Sequence, residues 1–254
     1  MRPLALALSP HLDDAAFSAG GTLARLAGAG WRVVVATAFT ASVPNPTGFA
    51  LACQTNKGFG PEVDYMALRR AEDAAACAAL GAAPVWLDLP EAPHRGYGSA
   101  PALFAGPRDD DAIGPSLDAA LATLLRERAP DLVLAPQAIG GHVDHVQLVR
   151  ALDRHAPALP CLWWRDFPYT AREAQPAEPF RDRMAALSGR DLHLSPAEAG
   201  RKRESCRAYA SQLGFQFGGP DGLDARLSAT GDVESYRAAG APPGALDEAA
   251  HAAA

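Results

Sequence analysis

Leu4-Ala5-Leu6-Ala7-Leu8-Ser9-Pro10-His11-Leu12-Asp13-Asp14 decides how the chain is read. Its first five residues form an apolar run too short for a helix and set ahead of a turn, so they read as a buried parallel strand. The segment from Ala15 to Ala29 that follows is rich in small residues. It reads as a helix, apolar at Phe17, Leu23, Leu26 and Ala27 and stopped by Gly28 and Gly30. Trp31 to Phe39, with Val33, Val34 and Val35 at its centre, is β-branched and continuous, as a second buried strand requires. Strand, helix, strand makes a right-handed crossover unit.

The alternation continues along the chain. Thr40 to Pro61, interrupted by Pro44, Pro46, Gly48, Gly58 and Gly60, reads as a long loop, and loops of that length are usually functional. Glu62 to Leu80 reads as an amphipathic helix ended by Gly81, and Pro84 to Leu89 as a third strand. Pro90 to Pro115 is irregular. Ser116 to Arg128 returns to helix, with Leu117, Leu121, Leu124 and Leu125 on one face, and Leu132 to Ala135 is a fourth strand before a helix through Leu148, Val149 and Leu152. Cys161 to Trp164 is a further strand. Beyond it the pattern weakens, with one helix expected from Pro196 to Leu213. The expectation is an α/β fold, Rossmann-like and three-layered with a mostly parallel sheet. Residues 1–237 are read as one domain, with a core over 1–170 and a smaller C-terminal portion over 171–237. Residues 238–254, rich in Ala, Pro and Gly, are read as a disordered tail.

Composition narrows the function. The 254 residues carry a formal net charge of −6 and 48% hydrophobic residues. No basic run is present to bind phosphate backbone, so nucleic acid is excluded as a partner. No stretch nears the roughly 18 apolar residues of a membrane span, and Pro10 and His11 break the N-terminal apolar run before a signal core is complete. The four cysteines are far apart with no Cys-x-x-Cys pair, so disulfides and a thiolate zinc site are not expected and the bacterial cytoplasm is the default compartment. A small-molecule ligand fits such a chain. Homo-oligomerisation is left open.

Two clusters carry the chemistry. His11, Asp13 and Asp14 follow the first strand; His142, Asp144 and His145 follow the fourth. Parallel sheets place ligands at the carboxyl ends of their strands, so both clusters fall where a site should be. A divalent ion with an open position commonly takes two imidazoles and one carboxylate, and His11, Asp14 and His145 supply that set. Asp13 then faces a bound water as general base, and a weak carboxylate suffices because the ion lowers the pKa of that water to about 7. His142, three residues before His145, is placed to stabilise an oxyanion as a protonated imidazole or to protonate a leaving amine. Asp144 would orient that ring or the ligand, or merely cap the helix.

Pro10-His11-Leu12-Asp13-Asp14 resembles the first signature of the PIG-L/LmbE-like N-acetylglucosaminyl deacetylases, His-Pro-Asp-Asp-Glu, and His142-Val143-Asp144-His145 resembles their second, His-Pro-Asp-His. Arg69-x-x-Glu72 with Leu80-Gly81, and Lys202 with Tyr209-x-Ser211-Gln212, are weaker similarities in the same order, so the likeness spans residues 4 to about 215. It departs at Leu12 and Val143, where proline is usual, and at Ala15, where glutamate is usual. The resemblance implies a Rossmann-like fold, zinc as the metal, and hydrolysis of an N-acetyl group from an amino sugar or its conjugate. By position, His11, Asp14 and His145 match the metal ligands, Asp13 the base, His142 the acid or oxyanion stabiliser, and Arg69 a substrate-side residue. Iron, manganese or cobalt could occupy the same ligand set. Arg69 and Glu72 are also spaced for an ordinary ion pair on a helix surface.

Competing readings are an amidase acting on a thiol-sugar conjugate with the same machinery, and a catalytically silent carbohydrate-binding protein. Gly20-Gly21 lacks the G-x-G-x-x-G spacing of a dinucleotide site. His94, His155, His193 and His251 have no partners in sequence and read as surface or loop residues.

Overall fold

The computed structural model describes residues 2–156, 158–172, 175–241 and 243–246. In chain order the elements are β1 (Leu4–Ser9), α1 (Asp14–Gly28), β2 (Arg32–Phe39), α2 (Gly48–Thr55), α3 (Tyr65–Leu80), β3 (Ala83–Leu89), α4 (Ile113–Arg128), β4 (Leu132–Pro136) and α5 (Val143–His155). They continue with β5 (Cys161–Trp164), α6 (Tyr169–Arg172), α7 (Arg181–Ala185), β6 (Ser188–His193), α8 (Pro196–Arg207), α9 (Ala210–Phe217), α10 (Pro220–Ala229) and β7 (Val233–Ala239). Short 3-10 turns occupy Ala92–Arg95, Pro101–Phe104 and Gly244–Leu246.

The strands form one sheet in the order β3-β2-β1-β4-β5-β7-β6. β1 to β5 are parallel, and β7 runs antiparallel to both β5 and β6. Alternate side chains of β1 show why the sheet is covered on both faces. Ala5 and Ala7 point into one core with Phe17, Leu23, Cys206 and Leu213, whereas Leu4, Leu6 and Leu8 point into another with Leu117, Leu121, Val149 and Leu152. One layer thus holds α1, α3, α8 and α9, the other α4 and α5, and the sheet lies between them. The strand order reverses at β1, which has β2 on one side and β4 on the other. That reversal opens a crevice at the carboxyl ends of β1 and β4, the position of ligand sites in such sheets.

Three expectations are corrected here. The loop expected over 40–61 contains α2, eight residues without a long apolar period, and the helix expected over 196–213 is two, α8 and α9. The tail expected from 238 starts too early: Ala238 is paired with Leu162 and Ser188 in the sheet, and Leu246 is fully buried, with its carbonyl accepting from Arg190 Nη2 at 2.7 Å. Residues 247–254 of that stretch lie outside the described residues. Among the described residues no helix is long and apolar enough to cross a membrane.

Candidate metal centre

The turn after β1 is set by its own side chains. Ser9 Oγ donates to the His11 carbonyl at 2.7 Å and accepts from the Ala15 amide at 3.1 Å, and the Pro10 carbonyl accepts from Phe39 of β2 at 3.0 Å. Asp14 opens α1, where a carboxylate suits the helix dipole, and its Oδ2 accepts from the His11 amide at 2.9 Å. His11 and Asp14 are thereby turned to one side. After β4 the chain makes a tight loop through Gly140 and Gly141, at φ +95° and +77°. Glycine is required at the first of these, because a Cβ there would lie 2.7 Å from the Tyr169 ring. His142 then caps α5 by accepting from the Asp144 amide, and the first turn of α5 delivers His145.

Across the crevice the three expected ligand atoms converge. Asp14 Oδ2 lies 3.2 Å from His11 Nδ1 and 3.2 Å from His145 Nε2. A tetrahedral ion with bonds of about 2.0–2.2 Å holds its ligand atoms roughly 3.3–3.6 Å apart, so this spacing fits one. His145 Nε2 is buried and has no hydrogen-bond partner, an orphaned atom that an ion would satisfy. The far nitrogens of both rings are held by carboxylates, His11 Nε2 by Asp144 Oδ2 at 3.0 Å and His145 Nδ1 by Asp166 Oδ1 at 2.8 Å. Such outer partners fix tautomer and ring orientation in metal sites. Burial opposes charge on the imidazoles, yet Asp14 and Asp144 hold His11 well above the usual histidine range, and Asp14 and Asp166 raise His145 to about 9. The pocket is thus built for positive charge.

Asp13 lines the same cleft as His11, Asp14 and His142 but has its own partners. Its Oδ2 accepts from Gln216 Nε2 of α9 at 2.8 Å, and its Oδ1 lies 3.7 Å from Arg69 Nη2. Burial and the neighbouring Asp14 charge push it up to about 7, against the pull of Arg69. Arg69 is buried, donating to Glu91 Oε1 at 2.6 Å and to the Leu12 carbonyl at 3.3 Å. The Arg69–Glu72 surface pair allowed by sequence spacing does not form, since Glu72 accepts from both the amide and the hydroxyl of Ser211 at 2.7 Å.

Two expectations about the second cluster change. Burial and the adjacent His11 push His142 down to about 3, and its Nδ1 accepts a hydrogen bond from the Asp144 amide, so the ring is neutral with its proton on Nε2, not an imidazolium. The Asp144 side chain reaches neither the cleft nor the His142 ring. It is fully buried against His11, the Ala92 amide at 3.1 Å and Arg95 at 2.8 Å, away from the cleft.

The cleft over these groups has a volume of about 380 Å³, with His11, Asp13, Asp14, Arg69 and His142 at its floor. Asp166, Glu91, Arg95 and Gln216 were missed by sequence reasoning. A signal existed for two of them: Glu91 lies two residues after β3 and Asp166 two after β5, the location that marked His11. Lys202 and Tyr209 are structural, bonded to Glu234 at 2.7 Å and Asp73 at 2.8 Å. His155 lies 3.1 Å from Asp118; His251 is outside the described residues.

Residues 6–156 match the family profile described as GlcNAc-PI de-N-acetylase, PIG-L. The chain is 34% identical over 190 residues to a 2'-N-acetylparomamine deacetylase of Streptomyces fradiae, covering 69% of this chain and 64% of that relative's length. Among solved structures, the zinc-inhibited form of teicoplanin deacetylase Orf2 superimposes with a TM-score of 0.77 at 25% identity, covering 93% of this chain and 98% of that one. The A40926 pseudoaglycone deacetylase Dbv21 does so with a TM-score of 0.77 at 28% identity, covering 95% and 100%.

Proposed function

Because the chain belongs to the PIG-L family, we propose that it is a metal-dependent hydrolase that removes the acetyl group from an N-acetylglucosamine-type amino sugar or its conjugate. The observation that carries this reading is the orphaned His145 Nε2, 3.2 Å from Asp14 Oδ2, beside a raised carboxyl at Asp13. His11, Asp14 and His145 would hold the ion, and zinc fits two imidazoles and a carboxylate. When bound, such an ion supplies a Lewis acid for the acetamide carbonyl and water acidic enough for a carboxylate base.

The remaining steps belong to the protein. Asp13 takes the proton of the attacking water, and Gln216 and Arg69 hold its two oxygens in place. The neutral His142 donates from Nε2 to the oxyanion that develops on the acetyl carbonyl oxygen. The carbon–nitrogen bond then breaks as the proton held by Asp13 passes to the sugar nitrogen, and the acetic acid released gives its remaining proton to solvent to become acetate. Burial and Asp14 hold Asp13 above the ordinary carboxylate range, which suits it both to accept and to return that proton. The four free cysteines, three of them buried, accord with a reducing cytoplasm.

The test is acetate release, with and without chelator, from N-acetylglucosamine, its oligomers and its conjugates. Chelator-sensitive release is expected; absence of release by protein holding one equivalent of zinc would exclude the activity on these substrates.

A further inference from the structure

The cleft changes character between floor and mouth. Its acidic lining residues are the buried Asp13 and Asp14 and the Arg69-paired Glu91, so none stands free at the opening. The exposed part is aromatic and basic. Of the three large apolar side chains exposed among the described residues, two, Phe104 at 43% and Phe215 at 67%, stand at this mouth. The Phe104 ring meets His142 edge-on with centroids 5.4 Å apart, so apolar surface begins beside the reacting group. That area gains burial only when a ligand covers it.

At the other side Lys57 lies over the rings of Tyr65 and Phe215. Its Nζ is 5.0 Å from the Tyr65 centroid and 5.4 Å from that of Phe215, and it forms no ion pair among the described residues. The rings hold the ammonium by its cation–π attraction and leave its N–H groups to a ligand. Arg172 lines the same mouth. A polycationic substituent would meet Lys57 there and, among the described residues lining the cleft, no exposed acid. A neighbouring hollow does carry exposed acids, Glu62 and Asp64, and shares Cys53, Glu91 and Pro93 with the cleft. Asp64, however, is already engaged by Ser42 Oγ at 2.6 Å and the Ala67 amide at 2.9 Å.

We infer that the preferred substrate carries its acetylated amino sugar on an aromatic aglycone bearing an acidic group, with Phe104 and Phe215 packing on the ring and Lys57 pairing with the acid. The inference rests on the deacetylase reading above and makes Lys57 a specificity-determining residue. Flat rings pack on phenylalanine edge-to-face or offset, which an aliphatic aminocyclitol cannot reproduce.

The test compares kcat/KM for acetate release from the 4-carboxyphenyl, 4-(aminomethyl)phenyl and methyl N-acetylglucosaminides and from an N-acetylated aminocyclitol glycoside. The carboxyphenyl substrate should exceed the aminomethylphenyl one by about tenfold or more, and Lys57→Gln should bring that ratio to within about twofold. A merely structural Lys57 would lower all substrates together and keep the ratio. Phe215→Ala should lower both aryl substrates relative to the methyl glycoside. Calorimetric binding of the deacetylated 4-carboxyphenyl glucosaminide, weaker to Lys57→Gln protein than to wild type, gives the same result without turnover. A ratio near one, a ratio unchanged by Lys57→Gln, or a preference for the aminocyclitol would overturn the inference, the last moving the aglycone beside Glu62 and Asp64. Release from the methyl glycoside with no charge discrimination defeats this inference alone, whereas no release from any substrate defeats the deacetylase reading and this inference with it.

Discussion

Asp166 does not line the cleft, yet its bond to His145 Nδ1 decides which way that imidazole turns. Asp144 does the same for His11. Replacing either by asparagine should weaken zinc binding by about 10–100-fold, read by competition with a chromophoric chelator; an unchanged affinity would show that packing alone orients the rings. In the proposed reaction Asp13 sets the pH response. It works as a carboxylate, so activity falls as pH drops through its pKa, which burial and Asp14 raise to about 7 before an ion is bound. A bound cation favours the carboxylate, so the acid limb of kcat/KM should lie below 7, with a plateau above it, when measured from about pH 5 to 9. His11, Asp13, Asp14, His142 and His145 were legible in the sequence because each cluster is contiguous and follows an apolar run. Asp166, Glu91 and Gln216 reach the site singly from separate elements: Glu91 and Asp166 carry only the weak signal of lying two residues after a strand, and nothing local distinguishes Gln216 from a surface residue.

At the scale of elements, β1, β2, β4 and β5 were legible because strands buried on both faces are continuous apolar runs, whereas β3, a half-exposed edge strand, showed only through its short apolar run before Pro90. β6 and β7 were not. β6 is a polar edge strand in which Leu192 alone is buried, and in β7 the buried positions are Glu234, Tyr236 and Ala238, so its period of two is hidden behind a charge. Glu234 earns its place by contacts that no hydropathy pattern records. It accepts from the Gly21 and Thr22 amides of α1 at 2.9 and 2.8 Å, from Thr22 Oγ1 at 2.6 Å and from Lys202 Nζ of α8 at 2.7 Å, joining β7 to two helices. Glu234→Leu leaves that lysine buried without its partner and should destabilise the fold by roughly 3–5 kcal/mol in urea unfolding. Adding Lys202→Met should recover a large part of the loss, because the uncompensated charge goes with it. A double variant no more stable than the single would show that the amide contacts, not the ion pair, carry the effect.

For the molecule as a whole, the reversal of strand order at β1 brings together two arms far apart in sequence, one after β1 and one after β4. An ion shared by His11, Asp14 and His145 would tie those arms together, so binding should stabilise the entire sheet. At a free zinc concentration 100 times Kd the gain is about 2.7 kcal/mol, which for a chain of this length corresponds to a rise in Tm of roughly 5–10 °C by calorimetry. No shift in Tm on zinc addition would place the ion elsewhere or nowhere. The alternation of strands and helices made this architecture readable from the start, whereas the layout of the cleft mouth depends on α2, α6 and α9, short elements whose positions come from tertiary packing. The most direct measurement is acetate release by Asp13→Asn protein carrying one equivalent of zinc, against wild type on the same substrate. The expected result is full metal content with turnover reduced by about 10²–10⁴-fold, the contribution of a general base. Wild-type turnover by that variant would contradict the assignment of Asp13, and with it the hydrolytic site built around it.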